Sequence, residues 1–183
     1  MNMSHANRGV AFEQLIDYSN RMYDQKGIAV INKRPTPVKI LGISQGRVTG
    51  FLERPSTVDY EGTYRGRSIV FEAKSTRELN RFDLKNIHEH QVEYLEKCHS
   101  HGAISFLLVE FAKHRTVYLM PYQTLRHYWR QKQKGGRGTQ SIPIEEFDIH
   151  AYEVKSWRVP LDYLAIVDQI CKNMHISSCS NAE

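Results

Sequence analysis

The chain has 183 residues, of which 40% are hydrophobic and 25% charged. This is enough for one domain with a full core, whereas two domains would be cramped, so we expect a single domain over residues 1–183. No stretch approaches the roughly 20 apolar residues that a membrane span needs, and the amino terminus lacks the apolar core of a signal peptide. These two features lead us to expect a cytoplasmic location and no membrane association. The three cysteines have no CxxC spacing, so we expect no structural zinc.

The basic residues are concentrated in two parts of the chain. The formal net charge is +5, which by itself only weakly favours an anionic partner. Residues 25–52 and 111–144, however, contain no acidic residue and many lysines and arginines. Such segments are typical of a surface that follows DNA phosphates. The alternative is that they are solvated faces kept basic for solubility.

The first third of the chain predicts one helix and two strands. Apolar residues recur at three- and four-residue spacing over residues 8–26, which predicts an amphipathic helix that Gly27 ends. Short β-branched runs at 28–32 and 38–43 predict strands, separated by two prolines. Residues 41–55 contain three glycines and no clear period. We therefore expect an irregular, exposed excursion there.

The rest of the chain predicts a mixed α/β fold. Runs at 57–64 and 68–74 are separated by three residues that include Gly66, which indicates a β-hairpin. After a polar stretch, the remaining patterns predict elements in this order: a helix at 87–100, strands at 103–111 and 116–120, a helix at 121–133, a basic loop at 134–139, a strand near 149–154, a helix at 161–174 and a polar, disordered tail from about 177. This order predicts a mixed central β-sheet flanked by helices.

The predicted hairpin carries the residues that could perform chemistry. Alternate residues of a strand share a face, so Glu72 and Lys74 lie together, and Thr57, Asp59 and Glu61 share a face of the preceding strand. Pairing of the two strands can bring Asp59 close to Glu72. Two such carboxylates repel each other unless a cation lies between them, and Mg²⁺ suits oxygen ligands. A nearby lysine could polarise an attacking water or stabilise charge on a phosphate.

A less specific interpretation of the same residues is open. The pattern E-x-K is short and common on strands. Glu72 and Lys74 could be ordinary surface residues on the wet face of a half-exposed hairpin, and Asp59 could be a turn former. By spacing alone, Gln91 is the polar edge of a helix.

Seven short segments occur in the order of one known family. They are Arg8-Gly9 with Glu13, Lys33-Arg34-Pro35-Thr36-Pro37, Ser56-Thr57-Val58-Asp59-Tyr60 with Gly62, Tyr64-Arg65-Gly66, Phe71-Glu72-Ala73-Lys74, Leu84-Lys85-Asn86, and His88 with His90-Gln91. Together they resemble the RecU family of Holliday junction resolvases, over most of the chain from residue 8 to about 130. That family is also known as penicillin-binding protein-related factor A and belongs to the PD-(D/E)XK nuclease superfamily.

The resemblance implies a fold and a set of site residues. It implies a restriction-endonuclease-like core with a projecting stalk at about residues 41–55, which is several residues shorter here than in the family. It implies Mg²⁺, with Mn²⁺ as a substitute, surrounded by Thr57, Asp59, Glu72 and Gln91. Asp59, Glu72 and Lys74 are then the catalytic residues, with Lys74 assisting at the transition state.

Further residues come into consideration through the same resemblance. Glu13 could add a carboxylate to the site, although an exposed helical charge or an intrahelical partner is an alternative. The residues expected to contact DNA are Arg8, Lys33, Arg34, Arg47 and Arg65.

The expected function is therefore Mg²⁺-dependent cleavage of four-way DNA junctions in recombination and repair. Two symmetric cuts favour a two-fold homodimer, in agreement with the dimeric family. A recombinase or the branch-migration machinery is a possible further partner. Two alternatives are a DNA-binding accessory protein that modulates a recombinase and a related nuclease that acts on flaps or duplex ends.

Overall fold

A computed structural model describes residues 5–53 and 56–179, with side chains described for 9–53 and 56–172. This part contains five α-helices and ten β-strands. They are α1 (His5–Gln25), β1 (Val30–Lys33), β2 (Val38–Ser44), β3 (Arg47–Leu52), β4 (Tyr60–Tyr64), β5 (Arg67–Thr76), β6 (Arg81–Asp83), α2 (Glu89–Ser100), β7 (Ile104–Phe111), β8 (Thr116–Pro121), α3 (Tyr122–Lys134), β9 (Ser141–Pro143), α4 (Ile144–His150), β10 (Tyr152–Glu153) and α5 (Tyr163–Cys179). A 3₁₀ turn (Leu84–Asn86) leads towards α2.

The core of the fold is a six-stranded sheet in the order β1-β4-β5-β7-β8-β10. β5 and β7 are parallel, and the other neighbouring pairs are antiparallel. Two separate two-stranded sheets are formed by β2 with β3 and by β6 with β9. The predicted mixed α/β class, with a mixed central sheet flanked by helices, is confirmed.

Helices cover both faces of the central sheet. On one face α1 and α5 pack through side chains such as Ile16 and Leu164, and on the other face α2, α3 and α4 pack through Leu95, Leu125 and Phe147. All five of these side chains are fully buried. The central strand β5 is therefore covered on both faces, and its residues 69–73 are all buried.

The first helix ends where the sequence predicts. Gly27 adopts a φ of +63°, and the backbone N–H of Ile28 donates to the carbonyl oxygen of Tyr23 at 2.8 Å. A residue in the left-handed region is a common helix terminator because it redirects the chain while the last carbonyls remain bonded. The chain then enters β1 at the edge of the central sheet.

The β4–β5 hairpin is present, but β4 begins at Tyr60 and not at residue 57. Arg65 and Gly66 form the turn with φ values of +49° and +74°, as two-residue hairpin turns require. The register pairs Tyr60 with Phe71. The strand does not extend back to Asp59 because its backbone N–H donates to the Glu72 side chain.

The excursion expected at 41–55 is an ordered hairpin for the part that is described, and the expectation of irregular structure is wrong. β2 and β3 pair antiparallel, with a register shift between Ile40 and Gly42, and Gln45 and Gly46 form the turn with positive φ. All residues of both strands are exposed. The glycines that obscured the strand period therefore lie at a bulge, in the turn and where the two strands approach closely.

The carboxyl-terminal part also differs from the prediction. The strand expected near 149–154 is reduced to the two-residue β10, because residues 149 and 150 are the end of a helix, α4, that was not predicted. Pro143 precedes the helix, and Glu145 and Glu146 in its first turn suit the positive end of the helix dipole. The tail expected from about 177 falls on residues whose side chains, and beyond Cys179 also the backbone, lie outside the described part.

Candidate active site

The Glu72 carboxylate is buried between the central sheet and the helices that cover it. β5 places Val70, Glu72 and Lys74 on one face, and Glu72 is 0% exposed while Lys74 keeps 22% of its side chain exposed. The interpretation of these two residues as ordinary surface residues on a wet face is wrong, because helices cover both faces of β5. A fully buried carboxylate is costly unless it is hydrogen-bonded or paired.

Asp59 and Glu72 are held together by reciprocal hydrogen bonds. The backbone N–H of Asp59 donates to Glu72 Oε2 at 3.1 Å, and the backbone N–H of Ala73 donates to Asp59 Oδ2 at 3.1 Å. Each carboxylate is thus bound by the backbone of the other's segment. The structure brings these two residues together, as the sequence predicts.

Lys74 and Gln91 contact the remaining oxygen of Glu72. Lys74 Nζ lies 2.7 Å from Glu72 Oε1, and Gln91 Nε2 donates to the same oxygen at 2.5 Å. Gln91 Oε1 accepts a hydrogen bond from the backbone N–H of His88 at 2.9 Å, which caps the start of α2. Gln91 therefore links the first turn of α2 to the buried carboxylate.

This cap was missed by the sequence analysis. His88 is the N-cap of α2 and Gln91 is its third residue. A glutamine three positions after an N-cap residue is the capping-box spacing. That spacing, read from the sequence, could have predicted that the amide of Gln91 is held by its own helix.

Burial governs the electrostatics of the site. It raises the pKa of the Glu72 carboxyl to about 8; the Lys74 ammonium opposes the rise and the Asp59 carboxylate adds to it. A site that disfavours the negative charge on Glu72 gains if a cation binds beside both carboxylates.

The available donors fit a hard divalent cation. Thr57 Oγ1 is buried and has no hydrogen-bond partner, which is unusual for a buried hydroxyl. Carboxylate oxygens of Asp59 and Glu72 and a second lone pair on Gln91 Oε1 add oxygen donors of the kind that Mg²⁺ prefers. Among the described residues no group of three or more His, Cys, Asp and Glu side chains is placed to hold a metal. A metal here would thus depend on the hydroxyl and the amide as well.

Comparison with known proteins places the chain in a family. A family sequence model described as "RecU: Recombination protein U" matches residues 7–169. The chain belongs to the RecU family. It is 36% identical over 173 residues to "Holliday junction resolvase RecU" of Geobacillus kaustophilus (strain HTA426), covering 91% of this chain and 86% of that protein. It is 39% identical over 175 residues to the protein of the same name from Limosilactobacillus reuteri (strain DSM 20016), covering 91% and 84%.

A solved structure also overlaps with this chain. It is Hjc of Archaeoglobus fulgidus, described as a Holliday junction resolvase from an archaeal hyperthermophile, with a TM-score of 0.35 and 14% identity over 59% of this chain and 77% of that chain. This overlap is too loose to bear on the fold. The RecU family membership rests on the sequence matches and confirms the resemblance carried by the seven short segments.

Glu13 forms an ion pair with Lys33 on β1, so its partner lies on another element and not in its own helix. The Glu13 carboxylate, with smaller contributions from Asp17 and Asp59, raises the pKa of Lys33, which places this ion pair near Asp59. Arg34 is likewise engaged, with Nη1 at 2.6 Å from Glu61 Oε2 and 2.7 Å from the Tyr94 hydroxyl. The two basic residues of this RecU-family segment are thus positioned by ion pairs beside the site.

The other three residues predicted to contact DNA are on different elements. Arg65 is in the β4–β5 turn and binds Asp168 at 3.0 Å, at the end of the hairpin opposite to Asp59. Arg47 is exposed at the beginning of β3, next to the hairpin turn, and has no ion pair among the residues that the structure describes. Arg8 belongs to α1, but its side chain lies outside the described part.

No helix in residues 5–53 or 56–179 is long and apolar enough to cross a membrane.

Proposed function

We propose that this chain is a Mg²⁺-dependent endonuclease that resolves four-way DNA junctions by hydrolysing phosphodiester bonds in recombination and repair. The observation that carries the proposal is a fully buried Glu72 in reciprocal hydrogen bonding with Asp59, with an ammonium group 2.7 Å away. Curated relatives across the same family bear the name Holliday junction resolvase RecU, which supports the choice of substrate.

The residues that would hold Mg²⁺ are Asp59 and Glu72 with the oxygens of Thr57 and Gln91; Mn²⁺ fits the same donors. A bound Mg²⁺ supplies Lewis acidity towards a phosphate oxygen and lowers the pKa of water. Gln91 holds the Glu72 carboxylate in one orientation through its 2.5 Å hydrogen bond. The protein therefore maintains a preorganised set of oxygen donors, at the cost of burying a carboxylate.

Lys74 is the cation that the chain itself contributes. Its ammonium is held by Glu72 and its side chain remains 22% exposed, so it can reach a DNA phosphate at the opening of the site. There it would donate hydrogen bonds to the phosphate oxygens as negative charge develops, or to the attacking water. Such donors are most effective where water is largely excluded.

The β2–β3 hairpin is the proposed stalk, and a homodimer is the proposed assembly. The hairpin exposes seven large apolar side chains: Val38, Ile40, Leu41, Ile43, Val48, Phe51 and Leu52. Contiguous exposed apolar surface of this kind marks an interaction site. A two-fold dimer places one active site against each of two junction strands, and Arg47 at the hairpin turn would contact backbone phosphates.

A panel of DNA substrates tests the proposed activity. The chain is incubated with a four-way junction, a flap and a linear duplex, each with Mg²⁺, with Mn²⁺ and with EDTA. Symmetric nicks on the junction in either metal, none in EDTA and none with Asp59→Asn are expected. Cleavage of flaps or duplex ends in preference to the junction points to a related nuclease, and tight junction binding without product points to an accessory role.

Sedimentation analysis tests the assembly. Ile43→Glu in the hairpin is compared with Ile149→Glu in α4, because the two side chains are 70% and 69% exposed. We expect the wild type and the α4 variant to sediment as dimers and the hairpin variant to be shifted towards monomer. A wild type that sediments as a monomer at micromolar concentration contradicts the proposed dimer, but it does not contradict the proposed cleavage reaction.

The proposed partners and location follow from the substrate. Junction DNA is handled together with recombinases and branch-migration proteins, which are the proposed protein partners. In a bacterium, as in the relatives, this DNA lies in the cytoplasm.

A further inference from the structure

Two basic segments lie at the edge of the sheet where the active site opens. β5 and β7 are parallel and therefore end at the same edge, and the N–H of Ala112 just after β7 donates to the Thr76 carbonyl at 3.0 Å. The turn between β7 and β8 carries Lys113 and Arg115, and both are exposed. Lys74 lies two residues before the end of β5 and is paired with Val109, so Lys74 and this turn lie towards the same edge of the sheet.

The loop after α3 is anchored at the same edge. β9 pairs with β6, and the N–H of Leu84 donates to the Gln140 carbonyl at 3.0 Å. Lys132, near the end of α3, donates to the carbonyl of Leu84 at 3.2 Å. Residues 84–88 lead directly into α2, whose first turn supplies Gln91. Loop 134–140 is therefore fastened beside the segment that orients an active-site residue.

Residues 79–80 connect the β7–β8 turn with the β9 segment. The ring of His114 in the β7–β8 turn bonds to the carbonyl of Leu79 at 2.9 Å, and the N–H of Ile144 after β9 donates to the carbonyl of Asn80 at 2.9 Å. Residues 79–80 thus contact both the turn and the residue after β9, while Leu84 at the other end of β6 contacts Gln140. The turn and loop 134–140 therefore flank the β6 segment on its two ends.

The charge on this surface is not neutralised. We define the edge strip as Lys113, Arg115, Lys134 and Arg137, which are exposed and make no ion pair among the residues that the structure describes. The neighbouring Asp83 is occupied by Arg81 at 3.0 Å and Lys85 at 3.4 Å. Four uncompensated cations on one edge produce a local positive potential suited to a polyanion.

We infer that the edge strip is a second DNA-binding surface, which contacts the phosphates of a duplex arm next to the cleaved strand. The inference rests on the proposed function and extends it. It assigns the duplex arm to a surface separate from the β2–β3 hairpin, whose Arg47 is proposed to contact other phosphates. The strip contributes side-chain charge and no apolar wedge. Contacts of that kind position a duplex but carry no information about sequence or branching.

The salt dependence of binding tests the inference. Lys134→Gln/Arg137→Gln and Lys113→Gln/Arg115→Gln are compared with Lys97→Gln/Lys172→Gln, which removes the same charge from exposed positions elsewhere. Lys97 is a suitable control because it lies in the last turn of α2, whereas Gln91 lies in the first turn. This 12-residue helix is about 18 Å long. Fluorescence anisotropy measures binding to a four-way junction and to a linear duplex in Ca²⁺, from about 50 to 200 mM salt. Circular dichroism verifies that each variant is folded.

Each strip pair is expected to reduce the slope of log K against log salt by about 1.8, from about 0.9 per lost phosphate contact. When salt rises four-fold, the factor by which affinity falls is then about 12 times smaller for the variant than for the wild type. The reduction is expected to be equal for junction and duplex, and the control pair is expected to keep the wild-type slope.

Three outcomes overturn the inference: unchanged slopes in both strip pairs, an equal change in the control pair, or a change confined to the junction. The result also remains distinct from the proposed function. If the wild type cuts junctions and the strip variants bind DNA like the wild type, the inference about the edge strip is refuted and the proposed activity stands. If the slope depends on the strip but the protein never cuts DNA, the proposed activity is refuted and the inference about the strip stands.

Discussion

Replacing Lys74 with methionine tests the central arrangement, because methionine keeps most of the apolar stem and removes only the ammonium. The lost contact is 2.7 Å long and is made to a carboxylate that is 0% exposed. A hydrogen bond to a charged group contributes about 1.5–3 kcal/mol. With a urea m-value of about 2 kcal/mol per molar, the unfolding midpoint of the variant falls by about 1 M.

The catalytic effect of the same change is expected to be larger than its effect on binding. Removal of one preorganised donor to a developing oxyanion typically costs about 10²–10³-fold in rate. Single-turnover cleavage of a four-way junction with saturating enzyme and Mg²⁺ measures this step, and anisotropy in Ca²⁺ measures DNA binding. We expect the rate to fall by that factor while the dissociation constant changes less than about three-fold, since Lys74 is one of many DNA contacts.

The matched control is Lys97→Met, an exposed lysine on α2 away from Glu72. It is expected to cut and unfold like the wild type. If Lys74→Met cleaves junctions within about three-fold of the wild-type rate, the assignment of Lys74 to the transition state is wrong. If its urea midpoint is unchanged, the 2.7 Å contact does not contribute to folding.

Three further predictions follow from the structure. Gln91→Leu removes the 2.5 Å bond to the buried carboxylate, so Mg²⁺ affinity measured by calorimetry is expected to fall about 10–100-fold. Gly62→Ala places a methyl group against the backbone of β1; overpacking of this kind costs about 1–3 kcal/mol, seen as a lower unfolding temperature. Asp162→Asn is expected to cost about 1.5–3 kcal/mol at pH 7, because it weakens the charged hydrogen bonds to Arg158 at 2.7 Å while Asp168 at 3.3 Å remains a partner of Arg158. Burial by itself would raise the pKa of Asp162, but hydrogen bonds from Arg158 and other groups lower it overall. The stability it contributes is therefore present above the unfolded value of about 4 and is lost as pH falls through the folded value; acid titration of the wild type against the variant, monitored by circular dichroism, measures the difference.

Local patterns were sufficient for several elements. The three- and four-residue spacing in α1 and the strand alternation in β5 depend only on neighbours along the chain, so they could be read directly. The strand β2 was predicted at 38–43, but β3, and with it the hairpin, was missed because the glycines interrupt the period. In α4, β-branched residues near 149 favoured a strand, whereas the proline and the two acidic residues at its start were the better indicators.

The candidate site was partly accessible to the same reasoning. The period of two predicts that Glu72 and Lys74 share a face, and hairpin pairing predicts that Asp59 approaches Glu72. The sequence could not show that Thr57 and Asp59 precede β4, or that Glu13 is taken by Lys33, because these depend on contacts between separate elements. The capping-box spacing could have predicted the bond between Gln91 and the backbone of His88. It could not have predicted the bond from Gln91 to Glu72.

The main helices and the strands β5, β7 and β8 of the central sheet, the family and the identity of the acidic and basic residues at 59, 72 and 74 were determined by the sequence alone, because they rest on period, spacing and motif order. Burial was decided by the tertiary structure. The packing of α2 on the central sheet brings Gln91 onto the Glu72 carboxylate, and burial in the folded protein raises the pKa of Glu72. Desolvation arises from elements that are distant in the chain and adjacent in space, and no pattern within one segment reports it.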